Sequence, residues 1–192
     1  MPNHVTNHLS IQCPTAAKES EVLEFIKDGN RAISFQKIIP MPQRLNIESY
    51  IKQTYGIEWS SPSYNSISQR IRRRNKKDYG AESWYEWCRE YWGTKWDAYD
   101  IRKEEDSIIF STAWSTPEKV IIRLSSIFPD VEFTVEYADE DTGYNCGMYK
   151  VKDGKVIDRW LPEAGSDEAV EFACRLWDID IEEYRKEMAE YE

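Results

Sequence analysis

Histidine occurs twice and cysteine four times in 192 residues, and no window holds 18 consecutive apolar residues. Each shortage excludes something. Without a long apolar run, no membrane-spanning helix is expected. The start, MPNHVTNHLS, has no basic segment followed by an apolar one, so no secretory leader is expected. Cys13, Cys88, Cys146 and Cys174 are too scattered for a zinc knuckle, a redox pair or an iron–sulfur cluster. The chain therefore reads as a cytoplasmic protein in reducing surroundings. No phosphate-binding glycine loop, dinucleotide fingerprint or nucleophile elbow occurs. His4 and His8 would lie roughly 13 Å apart along one strand, too far to share a metal ion. No catalytic residue, cofactor or metal is assigned, and the chain does not read as an enzyme.

What is present is aromatic and unevenly charged. Apolar residues make up 41% and aromatics 14%, which places the chain among globular proteins. A single domain over residues 1–192 fits that length. Residues 1–99 carry 14 Lys/Arg against 11 Asp/Glu, whereas residues 100–192 carry 11 against 24. The acidic half repels nucleic acid at long range and suits a basic partner.

Along the chain, VTNHLSIQC alternates as a half-buried strand with Val5, Leu9, Ile11 and Cys13 inward. Thr15 caps a helix over about 16–28 that Gly29 ends. FQKIIPMP, residues 35–42, reads as an extended loop because its prolines forbid regular pairing. Residues 45–80 read as an insertion containing a short helix, Ile47–Tyr55, and the basic run QRIRRRNKKD. Ser107–Trp114 reads as a strand. A helix opened by Thr116-Pro117 follows, with Val120, Ile121, Leu124, Ile127 and Phe128 at helical spacing. Val131–Tyr137 alternates as a strand with one wet face. Tyr144–Lys152 and Lys155–Trp160 flank Asp153-Gly154, a two-residue hairpin signal. A C-terminal helix is expected over 166–190, capped by Ser166. The order predicts an α+β, ferredoxin-like antiparallel sheet with helices packed on one face and a helical insertion around 45–100.

Four of eight tryptophans fall in ESWYEWCREYWGTKWDAYD, residues 82–100. Trp84, Trp87, Cys88 and Tyr91 form one helical stripe, with Glu82, Glu86 and Glu90 on another side. That is a core-facing helix rather than a ligand box. Gly93 ends it, and GTKWDAYD forms a tight corner. Trp87 and Trp96 are expected inside. Tyr85 and Trp92 fall off the stripe and are the two expected at the surface.

MPNHVTNHLSI, FQKIIPMP and WC followed by WGTKWDAYD together resemble the phage- and plasmid-encoded proteins that carry the YubB ferredoxin-like domain. The resemblance implies a ferredoxin-like fold and a mobile-element origin, with no activity to carry over. It also implies that Pro2, Asn3, Asn7, Trp92, Gly93, Lys95, Trp96, Asp97 and Tyr99 are architectural.

Two binding surfaces are expected from charge. Glu132 and Glu136 share the wet face of one strand, and Asp139, Glu140 and Asp141 continue at its end. That row could imitate a nucleic-acid backbone for a host protein, as in a counter-defence inhibitor. The alternative is nucleic-acid binding through Arg70, Arg72, Arg73, Arg74, Lys76 and Lys77, six cations in eight positions able to neutralise several phosphates. Asp178, Asp180, Glu182 and Glu183 read as solvated carboxylates, since they lack the spacing of a calcium loop.

Overall fold

A computed structural model describes residues 2–191. The chain runs β1 (His4–Gln12), α1 (Ala16–Ile26), α2 (Phe35–Ile38), a 3₁₀ turn (Gln43–Leu45), α3 (Ile47–Tyr55), α4 (Tyr64–Tyr79) and α5 (Trp84–Tyr91). It continues with β2 (Tyr99–Lys103), β3 (Ser107–Ala113), α6 (Glu118–Ile127), β4 (Glu132–Asp139), β5 (Cys146–Lys152), β6 (Lys155–Trp160), α7 (Asp167–Trp177) and α8 (Ile181–Tyr191). All neighbouring strands are antiparallel in the order β2-β3-β1-β4-β5-β6. The first four of these make the ferredoxin-like arrangement, with β3 and β1 inside, and the β5–β6 hairpin extends the sheet beyond β4.

Alternation sets the two faces. Val5, Leu9, Phe133, Val135 and Tyr149 are buried on one face. They meet Val22 and Ile26 of α1 and Val120, Ile121 and Leu124 of α6 in the main core. Thr15 caps α1 by accepting from the Lys18 amide, as its sequence position predicts. Those two helices pack on one face as expected. On the opposite face, α7 adds a second, smaller cover: Ala169, Ala173 and Leu176 pack on Ala138 and Cys146.

Five local expectations change. Tyr99–Lys103 is a strand, not only a corner, and pairs with β3 through an irregular register. FQKIIPMP begins with the single helical turn α2 before its prolines stop it. The expected C-terminal helix 166–190 is two helices, because Asp178 turns left-handed at φ +56° and Asp180 starts a new one. Trp92 is core, 2% exposed, with its indole N–H donating to the Ile39 carbonyl at 2.9 Å. Its place off the α5 stripe puts it beyond the helix end, where the Gly93 turn rotates it inward against Phe35. Trp87 is buried as expected, Trp96 is only half-buried, and Tyr85 is half-exposed.

Trp87→Ala should lower stability by about 3–5 kcal/mol, the range for a truncated core aromatic, measured by denaturant unfolding. At the hairpin, Asp153 and Gly154 both take positive φ, +47° and +70°, as a type I′ turn requires. A Cβ at Gly154 would also stand 2.7 Å from the Ser126 hydroxyl oxygen. Gly154→Val should therefore cost at least about 1–2 kcal/mol in the same measurement.

Candidate nucleic-acid interface

The insertion is a helical arm with its own small core. Ile47 and Ile51 of α3 are buried against Ile71 of α4, and Tyr50, Ile57, Tyr64 and Ile67 pack around them. Glycines end both helices: Gly56 and Gly80 take positive φ and donate to the Lys52 and Lys76 carbonyls.

One side of α4 is therefore committed. Ser68, Ile71 and Asn75, at i, i+3 and i+7, are its buried residues. Asn75 is fully buried and fully used. Its amide nitrogen donates to the Arg44 and Glu82 carbonyls, both at 3.1 Å, and its oxygen accepts from Arg44 Nε at 2.7 Å. Arg44 also pairs with Asp78 and lies 4.7 Å from the centre of the Tyr79 ring. Arg44 holds the Asp78 carboxyl below its usual range by direct hydrogen bonding. This latch fixes the rotation of α4 on the rest of the molecule.

With that rotation fixed, the basic residues have one place to go. Arg70, Arg72, Arg73, Arg74, Lys76 and Lys77 are all exposed. Arg70, Arg73 and Lys77 stand at i, i+3 and i+7 on the face opposite the buried stripe, with Arg72 and Arg74 flanking. Only Arg74 of the six meets a carboxylate among the described residues, Asp78 at 3.6 Å. The structure thus exposes all six cations on α4 over about 10 Å, five of them without a carboxylate partner among the described residues.

The acidic row behaves differently. Glu136 is engaged by Arg175 of α7, at 2.7 and 3.4 Å. Asp139 is 4% exposed and accepts from Asn3 Nδ2 at 3.0 Å, Asn145 Nδ2 at 2.9 Å and the Asp141 amide at 3.0 Å. Glu140 accepts from the His4 amide at 3.1 Å. Glu132 is half-exposed at the far end of β4 opposite Gln12, and Asp141 is exposed. The expected wet face of β4 is partly roofed, because the apolar side of α7 needs cover and Ala138 supplies it. Glu132, Glu136, Asp139, Glu140 and Asp141 do not form a free anionic line.

Other candidate chemistry resolves locally. His4 Nδ1 is hydrogen-bonded to the Tyr99 hydroxyl at 2.6 Å, and burial pushes that phenol up to about 12. Burial also pushes the Cys88 thiol up to about 12 and raises Cys13, Cys146 and Cys174, the opposite of an activated thiolate. Among the described residues, no group of three or more His, Cys, Asp or Glu is placed to hold a metal ion. No helix among the described residues is long and apolar enough to cross a membrane.

Sequence reasoning missed a second exposed feature. Trp114, just past β3, is 39% exposed and lies beside Tyr85, Arg89 and Lys95. Its backbone turns left-handed, at φ +73°, which nothing in the strand pattern of 107–114 announces.

Residues 91–180 match the family model described as the ferredoxin-like domain in Api92-like protein. That span runs from the end of α5 to just beyond α7 and leaves out β1, α1 and the arm. Among solved structures, the crystal structure of a protein api92 from Yersinia pseudotuberculosis aligns over 86% of this chain and 100% of that chain. It does so at 11% identity and a TM-score of 0.42. No curated protein matches the chain.

The roof over β4 carries a pH dependence. His8 sits beneath α7, opposite Glu136 across the strand pair, with its Nε2 buried and unpartnered. Burial lowers its pKa below the ordinary 6.5, Glu136 opposes the shift, and Arg175 adds to it. The folded state therefore binds fewer protons than the unfolded chain just below that value. Stability from this residue is complete above about 6.5 and is lost as pH falls through the lower, folded value. The melting temperature should drop between pH 7.5 and 5.5, and His8→Gln should flatten that slope.

Proposed function

We propose that the chain is a nucleic-acid-binding module that meets phosphates with the outer face of α4. The observation that carries this reading is the absence of carboxylate partners for Arg70, Arg72, Arg73, Lys76 and Lys77 on a helix whose rotation is latched. A structural role for arginines normally shows as ion pairs or stacked rings, and these five have no ion pair among the described residues. A compact row of cations on one helix can neutralise several phosphates and release their counterions. The arm's separate apolar cluster supports presenting that helix without disturbing the sheet. The chemistry is binding without catalysis, and the thiols, imidazoles and carboxylates described above supply no obvious nucleophile–base pair.

A second reading keeps the mobile-element accessory protein that binds a host protein, for example as a counter-defence inhibitor. It rests on the sequence resemblance and on exposed carboxylates of α7 and α8, such as Glu168 and Glu183, rather than on the β4 row. The two readings part in one experiment. Arg73→Glu with Lys77→Glu should weaken binding of labelled DNA or RNA at low salt by at least roughly tenfold. It should also reduce the slope of log affinity against log salt by about one to two, leaving the thermal melt unchanged. Unchanged affinity in the folded double variant would sink the α4 reading. Wild-type protein that binds no nucleic acid but retains a host protein would favour the second.

A further inference from the structure

Among the described residues, five other than glycine have positive φ, and four of them are Asp or Asn, which tolerate it. The fifth is Trp114, a bulky aromatic in a conformation that opposes its side chain. Its surroundings impose that conformation. The Trp114 amide donates to the Asn3 carbonyl at 3.0 Å, and its carbonyl accepts from Asn145 Nδ2 at 3.1 Å. Asn3 and Asn145 are both tied to the buried Asp139. A buried carboxylate thus holds a strained tryptophan at the surface, and such strain marks sites where a side chain is presented.

The indole borders an open groove of about 830 Å³ lined by Tyr85, Glu86, Arg89, Glu90 and Thr94. The Tyr85 ring centre is 6.2 Å from that of Trp114. The Arg89 guanidinium lies 5.4 Å from the Tyr85 ring and 5.9 Å from Trp114. Lys95 Nζ lies 5.1 Å from Trp114 and 4.3 Å from Trp96. The two carboxylates are already engaged: Glu86 accepts from the Glu82 amide at 2.8 Å, and Glu90 meets Lys119 at 3.5 Å. Glu86 keeps its charge, but Arg89 and Lys95 meet no carboxylate among the described residues and outnumber it, so the groove's net unpaired charge is positive.

We infer that this groove takes an unpaired nucleotide of a single-stranded nucleic acid, its base on Trp114 and its phosphates on Arg89 and Lys95. A nucleotide supplies a partner for both features of the groove, a planar base for the indole and an adjacent phosphate for the cations. A duplex hides its base faces in the stack and cannot offer the first. An acidic peptide would answer the cations but leave the strained indole without a purpose. The inference rests on the α4 reading for the rest of the strand's path. Arg72 of α4 shares a cleft with Glu48 and Trp84, and the Trp84 ring centre is 5.8 Å from that of Tyr85, so aromatic rings connect the arm's edge to the groove.

The test compares anisotropy titrations of a labelled single-stranded oligonucleotide of roughly 16 nucleotides and a duplex of the same length. Trp114→Gly removes the ring while accepting the positive φ, and a thermal melt checks that the variant remains folded. Single-strand affinity should fall roughly 5- to 150-fold, the loss of one stacked base, with duplex affinity unchanged. Arg89→Glu, on the exposed side of α5, should reproduce a selective loss and guards against misfolding of the first variant. Unchanged single-strand affinity in both variants, or equal losses for both probes, overturns the inference. So does displacement of the oligonucleotide by polyglutamate at equal charge concentration, which would make the groove an acidic-peptide site. Arg73→Glu with Lys77→Glu separates the two claims. If it alters neither probe while Trp114→Gly still weakens the single strand, the α4 reading fails and the groove stands.

Discussion

β1 has no free edge and only part of one face open, at Ser10 and Gln12, and the rest of the structure depends on that. It is hydrogen-bonded to β3 along one side and β4 along the other over most of its length. Val5 and Leu9 enter the main core, while Thr6 and His8 face the side that α7 partly roofs. A strand enclosed this way must alternate between two kinds of burial, and its register cannot slip without exposing one set. Asn7, fully buried among the apolar inward residues, strengthens the constraint. Its amide donates to the Val5 and Phe110 carbonyls and to Thr112 Oγ1 at 2.8 Å, tying β1 to β3 through a side chain. Just before β1, Asn3 reaches Asp139 at the end of β4, so both neighbours of the central strand are fastened near the same end.

The arm can exist because its two ends are held together. Asp97 accepts from the Phe35 amide at 2.7 Å, the Ser34 hydroxyl at 2.8 Å and the Ala98 amide at 2.8 Å. Residues 35 and 97 bracket α2, α3, α4 and α5, so this carboxylate closes the base of everything inserted between them. Once the ends are fixed, adding chain between them raises the closure cost only slowly. The arm then needs only its own Ile47, Ile51 and Ile71 cluster and the Arg44–Asn75 latch to settle into one orientation.

What the sequence disclosed follows from which forces are local. The alternation of β1 and β4, the Thr15 cap, the α6 spacing and the Asp153-Gly154 turn are short-range patterns, and each appears where its residues predict. Trp92 did not follow the helical stripe, because a tertiary hydrogen bond to Ile39 and the Gly93 turn decide its direction. The Glu132–Asp141 row looked free because alternation reports one wet face but not what arrives from 30 residues later to cover it. Asp139 reads identically to Asp141 in sequence, yet one is a buried acceptor and the other is exposed. The basic run was legible as charge, while its lack of partners depends on the rotation of α4, which Asn75 sets through long-range contacts. Trp114 was illegible for the same reason: its conformation is imposed by Asn3 and Asn145, each distant in the chain.

An acidic protein that carries a basic helix has to keep its two charges apart. The formal net charge is −10, yet Tyr64–Tyr79 carries six cations and only Asp78 as an anion. The base of the arm joins the main core through Leu45 and Ala81, on the face of the sheet opposite the one α7 covers. At physiological ionic strength, charges separated by more than about 8 Å of solvent are largely screened from one another. A polyanion within contact of α4 therefore responds chiefly to local cations, while at very low salt it also senses the acidic remainder as repulsion. Attraction at the helix and repulsion by the whole both weaken with salt, but the attraction acts over shorter distances and survives longer. The charge separation in the sequence thus leaves most of the C-terminal half repulsive to a polyanion, while the exposed cations of α4 are the densest local exception.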